Sequence, residues 1–130
     1  MKKLVMIASL IASLFALPAA AQRGGKAEPK RVEFAYGRTS APLSAKLGYD
    51  EEMEYVFAAK KGQKVTVTNH NTSLFDARIF SDENDVETEF DSSRTFSLTL
   101  PADGDYLLYV RKKRVNSRRR AAFSITLSIK

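Results

Sequence analysis

A ten-residue stretch near the end of the chain contains the residues best suited to binding chemistry. The basic stretch, Arg111 to Arg120, holds seven Lys or Arg side chains, and arginine can bind a carboxylate through two parallel hydrogen bonds. Seven unpaired cations cannot be buried without water or counter-charges, so we expect a protruding loop. Outside this stretch and the first 21 residues, 12 basic residues stand against 15 acidic ones. That imbalance favours one specific anionic contact over diffuse polyanion binding.

The other groups that could do chemistry are an acidic run and a histidine. Asp82 to Asp91 has six carboxylates in ten residues, and such oxygens suit calcium. The run lacks the glycine and the spacing of a calcium loop, so a solvated acidic loop is favoured while calcium stays open. His70, in a polar loop without cysteine nearby, is interpreted as structural or solvated.

Enzyme chemistry lacks its usual residues in this sequence. There is no cysteine and one histidine, and no G-x-S-x-G elbow or phosphate-cradling glycine loop occurs. Nothing in the acidic run singles out a pair of catalytic carboxylates. The basic stretch has no interleaved aromatic residues, which argues against nucleic acid. We therefore expect a binding protein without catalytic residues or cofactor, and without metal unless the acidic run takes up calcium.

The first 21 residues have the pattern of a cleaved export signal. Lys2 and Lys3 precede an apolar run from Leu4 to Leu17 that is too short to span a membrane, and Ala19-Ala20-Ala21 supplies a cleavage site. The absence of cysteine excludes a lipoprotein anchor. We expect residues 1–21 to be removed, 22–30 to form a flexible lead-in, and 31–130 to form one domain.

Short segments of alternating polarity fill the rest of the chain. Each is bounded by turn residues, and the spacing is typical of an antiparallel β-sandwich or barrel of about eight strands. The segments Glu52–Ala59 and Lys64–Asn69, joined by Lys60 to Gln63, predict a hairpin. The predicted strands are Val32–Tyr36, Leu43–Leu47 (at an edge, because Pro42 precedes it), Glu52–Ala59, Lys64–Asn69, Leu74–Phe80, Thr95–Leu100, Tyr106–Val110 and Phe123–Ile129.

Several motifs together resemble the periplasmic inhibitors of g-type (goose-type) lysozyme. The resemblance covers nearly all of the chain after residue 21, in matching order and spacing, and Gly48-Tyr49-Asp50 with the Ala59 to Val65 run is its most specific part. A weaker resemblance links the chain to bacterial pre-peptidase C-terminal domains, which are β-sandwich modules. The motifs are Val32-Glu33-Phe34, Gly48-Tyr49-Asp50, Tyr55-x-Phe57, Ala59-Lys60-Lys61-Gly62-Gln63-Lys64-Val65, Leu100-Pro101-Ala102-x-Gly104-x-Tyr106 and Ile129-Lys130.

The resemblance implies an all-β, antiparallel β-sandwich that blocks the cleft of a g-type lysozyme in the periplasm of a Gram-negative bacterium. In the family, the tyrosine of Gly-Tyr-Asp and two arginines of the last long loop look like the contact residues. They correspond here to Tyr49, Arg114 and Arg118. Further candidates follow from the middle of the loop and from its crowded arginines, namely Asn116, Arg119 and Arg120.

Alternatives to this interpretation remain open at the sequence level. Tyr49, in a turn, could cover the edge of the core or serve as an exposed contact residue. A pre-peptidase-like module would bind glycan or protein through a sheet face or the Tyr49 edge. A binder of anionic surfaces would lose affinity steeply with salt and would ignore residue order within the basic stretch.

Overall fold

The computed structural model describes residues 28–49, 51–114 and 120–130, and it places nine strands and no helix among them. In that part of the chain, no helical segment offers the length and apolar character needed to cross a membrane. The predicted signal peptide and most of the lead-in lie outside the described residues. The strands are β1 (Lys30–Arg31), β2 (Ser40–Leu47), β3 (Glu52–Ala59), β4 (Lys64–Asn69), β5 (Phe75–Ser81), β6 (Val86–Glu87), β7 (Thr95–Thr99), β8 (Gly104–Lys112) and β9 (Ala121–Ile129).

The strands form two sheets that pack face to face. One sheet has the order β1-β3-β8-β5-β6 and the other has the order β2-β9-β4-β7. Every pairing is antiparallel except that of β1 with β3. This confirms the predicted all-β, antiparallel sandwich, because alternate apolar side chains of each sheet supply one shared core.

Aromatic rings join the two sheets across this core. Phe123 of β9 meets Tyr55 of β3 and Phe75 of β5 at centroid distances of 6.4 and 5.6 Å, both near edge-to-face. Phe57 and Tyr106 stack at 5.8 Å between neighbouring strands of one sheet. Each such side chain contributes roughly 1.5–3 kcal/mol through burial, so the sandwich is stabilised by its core without disulfides.

The predicted hairpin between β3 and β4 is wrong, although both strands have the expected bounds. β3 pairs with β1 and β8 in one sheet, whereas β4 pairs with β7 and β9 in the other. The turn at residues 60–63 therefore crosses between sheets, with Gly62 at a φ of 90°. Alternation fixes which face of a strand is buried, but strand partners are set by contacts distant in sequence.

Two expectations for the segment after residue 31 are also wrong. Residues 32–36 form no strand, because Val32 alone bonds to β3 through its amide (Val32 N to Val56 O, 2.9 Å) and the chain then turns at Gly37. β2 begins at Ser40, three residues before the predicted start at Leu43, so Pro42 lies inside the strand. Pro42 is tolerated there because β2 lies at a sheet edge, as predicted, where one row of backbone donors is unused.

Candidate functional site

The described residues of the basic stretch (111–114 and 120) and of the Tyr49 turn (Gly48, Tyr49 and Glu51) lie at the same end of the sandwich. Leu47, the last residue of β2, pairs with Ala121, the first of β9. Glu52, the first residue of β3, pairs with Arg111 near the end of β8. The residues that begin and end the two connections between the sheets therefore lie together, although the paired positions are 74 and 59 residues apart in sequence.

Tyr49 and Arg114 face each other at this end. The guanidinium carbon of Arg114 lies 5.5 Å from the centre of the Tyr49 ring, within the range of a cation–π contact. The Tyr49 side chain is 37% exposed, and Arg114 is exposed as well. Tyr49 is thus exposed rather than buried over the core, and the pair presents an aromatic face and a cation together.

Of the other four candidate residues, the structure describes one. Asn116, Arg118 and Arg119 lie outside the described residues. Arg120 is described, and its guanidinium is engaged within the molecule: Nη1 lies 3.1 Å from Glu51 Oε1 and Nη2 donates to the Lys46 carbonyl at 3.1 Å. The structure therefore brings Tyr49, Arg114 and Arg120 to one end, but it uses Arg120 differently from Arg114.

Arg111 belongs to β8 and is fixed against the outer face of its sheet. Its guanidinium donates two hydrogen bonds to Asp76, at 3.0 and 2.8 Å, and lies 3.8 Å from the centre of the Phe90 ring. These bonds to the Asp76 carboxylate raise the pKa of Arg111 above its already high ordinary value. The cation is thus neutralised locally and serves the fold.

Lys112 contradicts the expectation that the whole basic stretch protrudes. It is the last residue of β8, it occupies an inward position opposite Phe75, and it is 1% exposed. Lys113 follows with its ammonium 3.2 Å from the Thr72 carbonyl. The strand continues two residues beyond the predicted end at Val110 because its alternation continues, so part of the stretch anchors the sheet.

The acidic run and His70, the other candidates for chemistry in the sequence, contact residues outside the basic stretch. Residues 86–87 of the run form β6, and Glu87 pairs with Arg78 of β5 at 3.1 Å. His70 Nε2 lies 3.3 Å from Thr126 Oγ1. Among the described residues, no group of three or more His, Cys, Asp or Glu side chains is arranged to hold a metal ion. The run is thus partly a strand that borders β5 rather than an isolated loop.

A cleft of about 410 Å³ opens elsewhere, between the edge strands β1 and β2. Val32, Leu43 and Tyr55 contribute to its walls, and burial raises the pKa of the Tyr55 hydroxyl. None of the residues lining it belongs to the Tyr49 turn or to the described part of the basic stretch. The cleft and the Tyr49–Arg114 surface are therefore separate features.

Two acidic residues that organise this end were missed by sequence reasoning. Glu51 accepts the Gly48 amide at 2.6 Å as well as the Arg120 guanidinium, and Asp76 binds Arg111. A glutamate three residues after a turn glycine is a sequence signal for the first contact, since such a side chain can reach back to the turn. Asp76 has no comparable local signal, because its partner is 35 residues away.

The described surface can receive carboxylates and an apolar or aromatic group. Arg114 supplies a charge-assisted donor, and the half-exposed Tyr49 ring supplies contact area at low conformational cost. This combination is typical of the centre of a protein–protein interface. The site is thus suited to binding an acidic protein surface.

Comparisons with known proteins find relatives in sequence and solved structures with the same fold. No family model matches the chain. An inhibitor of g-type lysozyme from Escherichia coli is 38% identical in an alignment of 108 residues, which covers 76% of this chain and 79% of the relative. A crystal structure of a periplasmic inhibitor of g-type lysozyme from Salmonella Typhimurium matches with a TM-score of 0.66 and 30% identity, over 81% of this chain and all of the other.

A more distant structure shares the fold alone. The pre-peptidase C-terminal domain of a Bacillus anthracis collagenase matches with a TM-score of 0.53 and 15% identity, over 83% of this chain and all of the other. Both resemblances noted in the sequence are therefore confirmed, the first at the level of family and the second at the level of architecture. From its identity and coverage with the Escherichia coli relative, the chain belongs to the family of inhibitors of g-type lysozyme.

Proposed function

We propose that this protein inhibits a g-type lysozyme by covering its substrate cleft with the Tyr49 turn and the basic stretch. It acts without catalysis or cofactor, in the periplasm, where it protects peptidoglycan from a muramidase. Its relatives are named as inhibitors of g-type lysozyme and as periplasmic, which supports both the partner and the location. The apolar run after Lys2 and Lys3 supports export.

The observation that carries the proposal is the contact of Tyr49 with Arg114. A muramidase cleft contains a catalytic carboxylic acid and further carboxylates that act on the glycan. Arg114 lies over the exposed Tyr49 ring at 5.5 Å, and the ring limits the orientations of the guanidinium before binding. An arginine held in this way loses less conformational entropy when it pairs with a cleft carboxylate.

Arg118 is the proposed second cationic contact. It is four residues beyond Arg114 in the basic stretch, and its role follows from the family resemblance alone. Loss of one central charge pair in a protein interface costs on the order of 2–5 kcal/mol, which corresponds to roughly 30-fold to several thousand-fold in affinity. Two such arginines therefore account for a strong, stoichiometric inhibitor.

The first experiment measures selectivity. Lysis of cell walls by g-type, c-type and i-type lysozymes is followed with and without the purified mature protein. We expect loss of g-type activity at near-equimolar inhibitor and little effect on the other two. Full activity of all three enzymes would contradict the proposal, and a pre-peptidase-like module that binds glycan or protein would then be the better explanation.

The second experiment tests the residues. Arg114→Glu combined with Arg118→Glu is expected to weaken inhibition by about 100-fold or more, because repulsion replaces attraction at cleft carboxylates. Tyr49→Ala is expected to weaken it by about tenfold or more, as for an interface hot spot. Circular dichroism and thermal unfolding should be unchanged in both, since Tyr49 and Arg114 are exposed and Arg118 is predicted to belong to a surface loop.

The opposite end of the sandwich offers matched controls. Arg38→Glu combined with Lys60→Glu makes the same change in net charge at exposed positions, and Tyr36→Ala removes a fully exposed tyrosine. Both controls should inhibit within about twofold of the unmodified protein. Unfolding of the Arg114 and Arg118 double variant would contradict the assignment of these residues to a surface loop.

A further inference from the structure

One carboxylate oxygen joins the Tyr49 turn to the start of β9. Glu51 Oε1 accepts the Gly48 amide at 2.6 Å and the Arg120 guanidinium at 3.1 Å. The backbone closes the same turn, because the Glu51 amide donates to the Gly48 carbonyl at 3.1 Å. The turn that carries Tyr49 is therefore bonded both to itself and to the far side of the basic stretch.

Arg120 reaches across this end of the molecule to three points. Besides Glu51, it donates to the Lys46 carbonyl at the end of β2, at 3.1 Å. The Arg120 Cγ lies 3.5 Å from the position that a Cβ atom on Gly48 would occupy. Gly48 is buried, and its missing side chain leaves the space that the Arg120 stem and the Glu51 carboxylate occupy.

We propose that the Glu51–Arg120 pair is a positioning device that holds the Tyr49 turn in its binding conformation. This inference rests on the proposed function. A turn that samples several conformations binds more weakly in proportion to the fraction that is competent. The pair raises that fraction, because it ties the two ends of the surface (the turn and the start of β9) to one carboxylate. Tyr49 and Arg114 contact the lysozyme, whereas Glu51 and Arg120 act through them.

A positioning role and a direct contact with lysozyme predict opposite effects of Glu51→Ala on inhibition. The Arg120 and Glu51 side chains are 59% and 49% exposed. If Arg120 bound a lysozyme carboxylate, Glu51 would compete for it, and Glu51→Ala would strengthen inhibition. As a positioning pair, Glu51→Ala frees the turn and weakens inhibition. One substitution therefore separates the two roles.

The test compares four variants in lysozyme inhibition. Glu51→Ala and Arg120→Ala are each expected to raise the inhibition constant about tenfold, as if the competent fraction fell to about a tenth. The double variant should be no weaker than about tenfold, because both substitutions break the same unit. Glu51→Gln should stay within about threefold, since its carbonyl oxygen still accepts the Gly48 amide and the guanidinium.

Hydrogen exchange tests the conformation of the Tyr49 turn independently of the inhibition assay. Hydrogen exchange of the Gly48 amide, read by NMR, should accelerate about tenfold or more in Glu51→Ala and remain nearly unchanged in Glu51→Gln. The control is Asp105→Ala, which breaks another exposed ion pair. Asp105 of β8 binds Arg31 of β1 at 2.9 Å, at the end of the sandwich far from the Tyr49 turn. This variant should alter neither inhibition nor Gly48 exchange.

Three results would overturn the inference. They are stronger inhibition by Glu51→Ala, additive losses of about 100-fold in the double variant, and unchanged Gly48 exchange in Glu51→Ala. Failure of the proposed function itself is distinguishable, because the unmodified protein would then not inhibit g-type lysozyme. In that case Gly48 exchange still decides whether Glu51 holds the turn, and unchanged exchange rejects the pair on its own.

Discussion

At the scale of single residues, the cations of the basic stretch differ in environment although they are adjacent in sequence. Arg111 points outward and is neutralised by Asp76, whereas Lys112 points inward and is buried. Arg114 lies over Tyr49, and Arg120 binds Glu51. Successive side chains of a strand alternate between faces, so neighbouring cations of one stretch can belong to the core, the sheet surface and the proposed binding surface.

Lys112 provides a prediction at this scale. Lys112→Ala should lower the free energy of unfolding by about 2 kcal/mol or more, because it removes a fully buried side chain and the charge that its surroundings compensate. Urea denaturation measures the change. Lys46→Ala is the control, since Lys46 is exposed at the same end of the sandwich and should change stability by less than about 0.5 kcal/mol. Equal losses in the two variants would contradict burial of Lys112.

At the scale of elements, the register of β8 determines which charges meet. Arg111 lies opposite both Glu52 of β3 and Asp76 of β5. The Asp76 side chain is only 10% exposed and accepts two bonds from Arg111. At the other end of β8, Asp105 meets Arg31 with both side chains 52% exposed. One strand thus carries two Arg–Asp pairs of contrasting burial.

This contrast makes a prediction for the two aspartates. Asp76→Ala should lower the free energy of unfolding by about 1.5–3 kcal/mol, because it leaves the bonded guanidinium without its acceptor over the sheet. Asp105→Ala should cost less than about 1 kcal/mol, since solvent screens an exposed pair. Thermal and urea unfolding of both variants test this difference, and a reversed order would show that the burial of the pairs does not govern their contribution.

At the scale of the whole molecule, the described part of the basic stretch lies at one end of the sandwich. Seven cations lie in the basic stretch, and strands of eight or nine residues separate this end from the turn at residues 60–63 by roughly 25–30 Å. That distance is about three Debye lengths at physiological ionic strength. The charge at one end therefore acts on an approaching partner independently of charge at the other.

The corresponding prediction concerns association with lysozyme. The association rate constant should fall about tenfold or more between about 50 and 500 mM salt, because electrostatic attraction accelerates encounter and salt screens it. Arg118→Gln with Arg119→Gln should lower the low-salt rate. Lys60→Gln with Lys61→Gln, an equal change in net charge at the opposite end, should leave it nearly unchanged. Stopped-flow kinetics measure both, and equal effects would mean that net charge alone governs encounter.

Much of the fold could be predicted from alternation alone. The bounds of β3 and β4 were correct, and β5 and β7 were displaced by one residue at most at each end. The burial of Lys112 could also have been predicted. Tyr106, Leu108 and Val110 are buried at alternate positions of β8, and position 112 is the next in that alternation. The strand predicted from the sequence nevertheless ends at Val110, because the residues after it are charged.

Strand pairing and the environment of the site could not be predicted in the same way. The β3–β4 hairpin was wrong because a short connection can either return within a sheet or cross to the other sheet, and local residues suit both. The contact of Glu51 with Arg120 joins positions 69 residues apart. No local propensity reports a partner at such a distance.

Most of the strands, the faces they bury, the fold class and the residue types available for binding follow from the amino-acid sequence. These depend on side-chain size, polarity and period, which are local properties. Strand pairing, the neutralisation of particular cations and the contact of Tyr49 with Arg114 are visible only in the three-dimensional structure. Those outcomes depend on two connections crossing between sheets side by side, and that geometry exists only when the whole sandwich has formed.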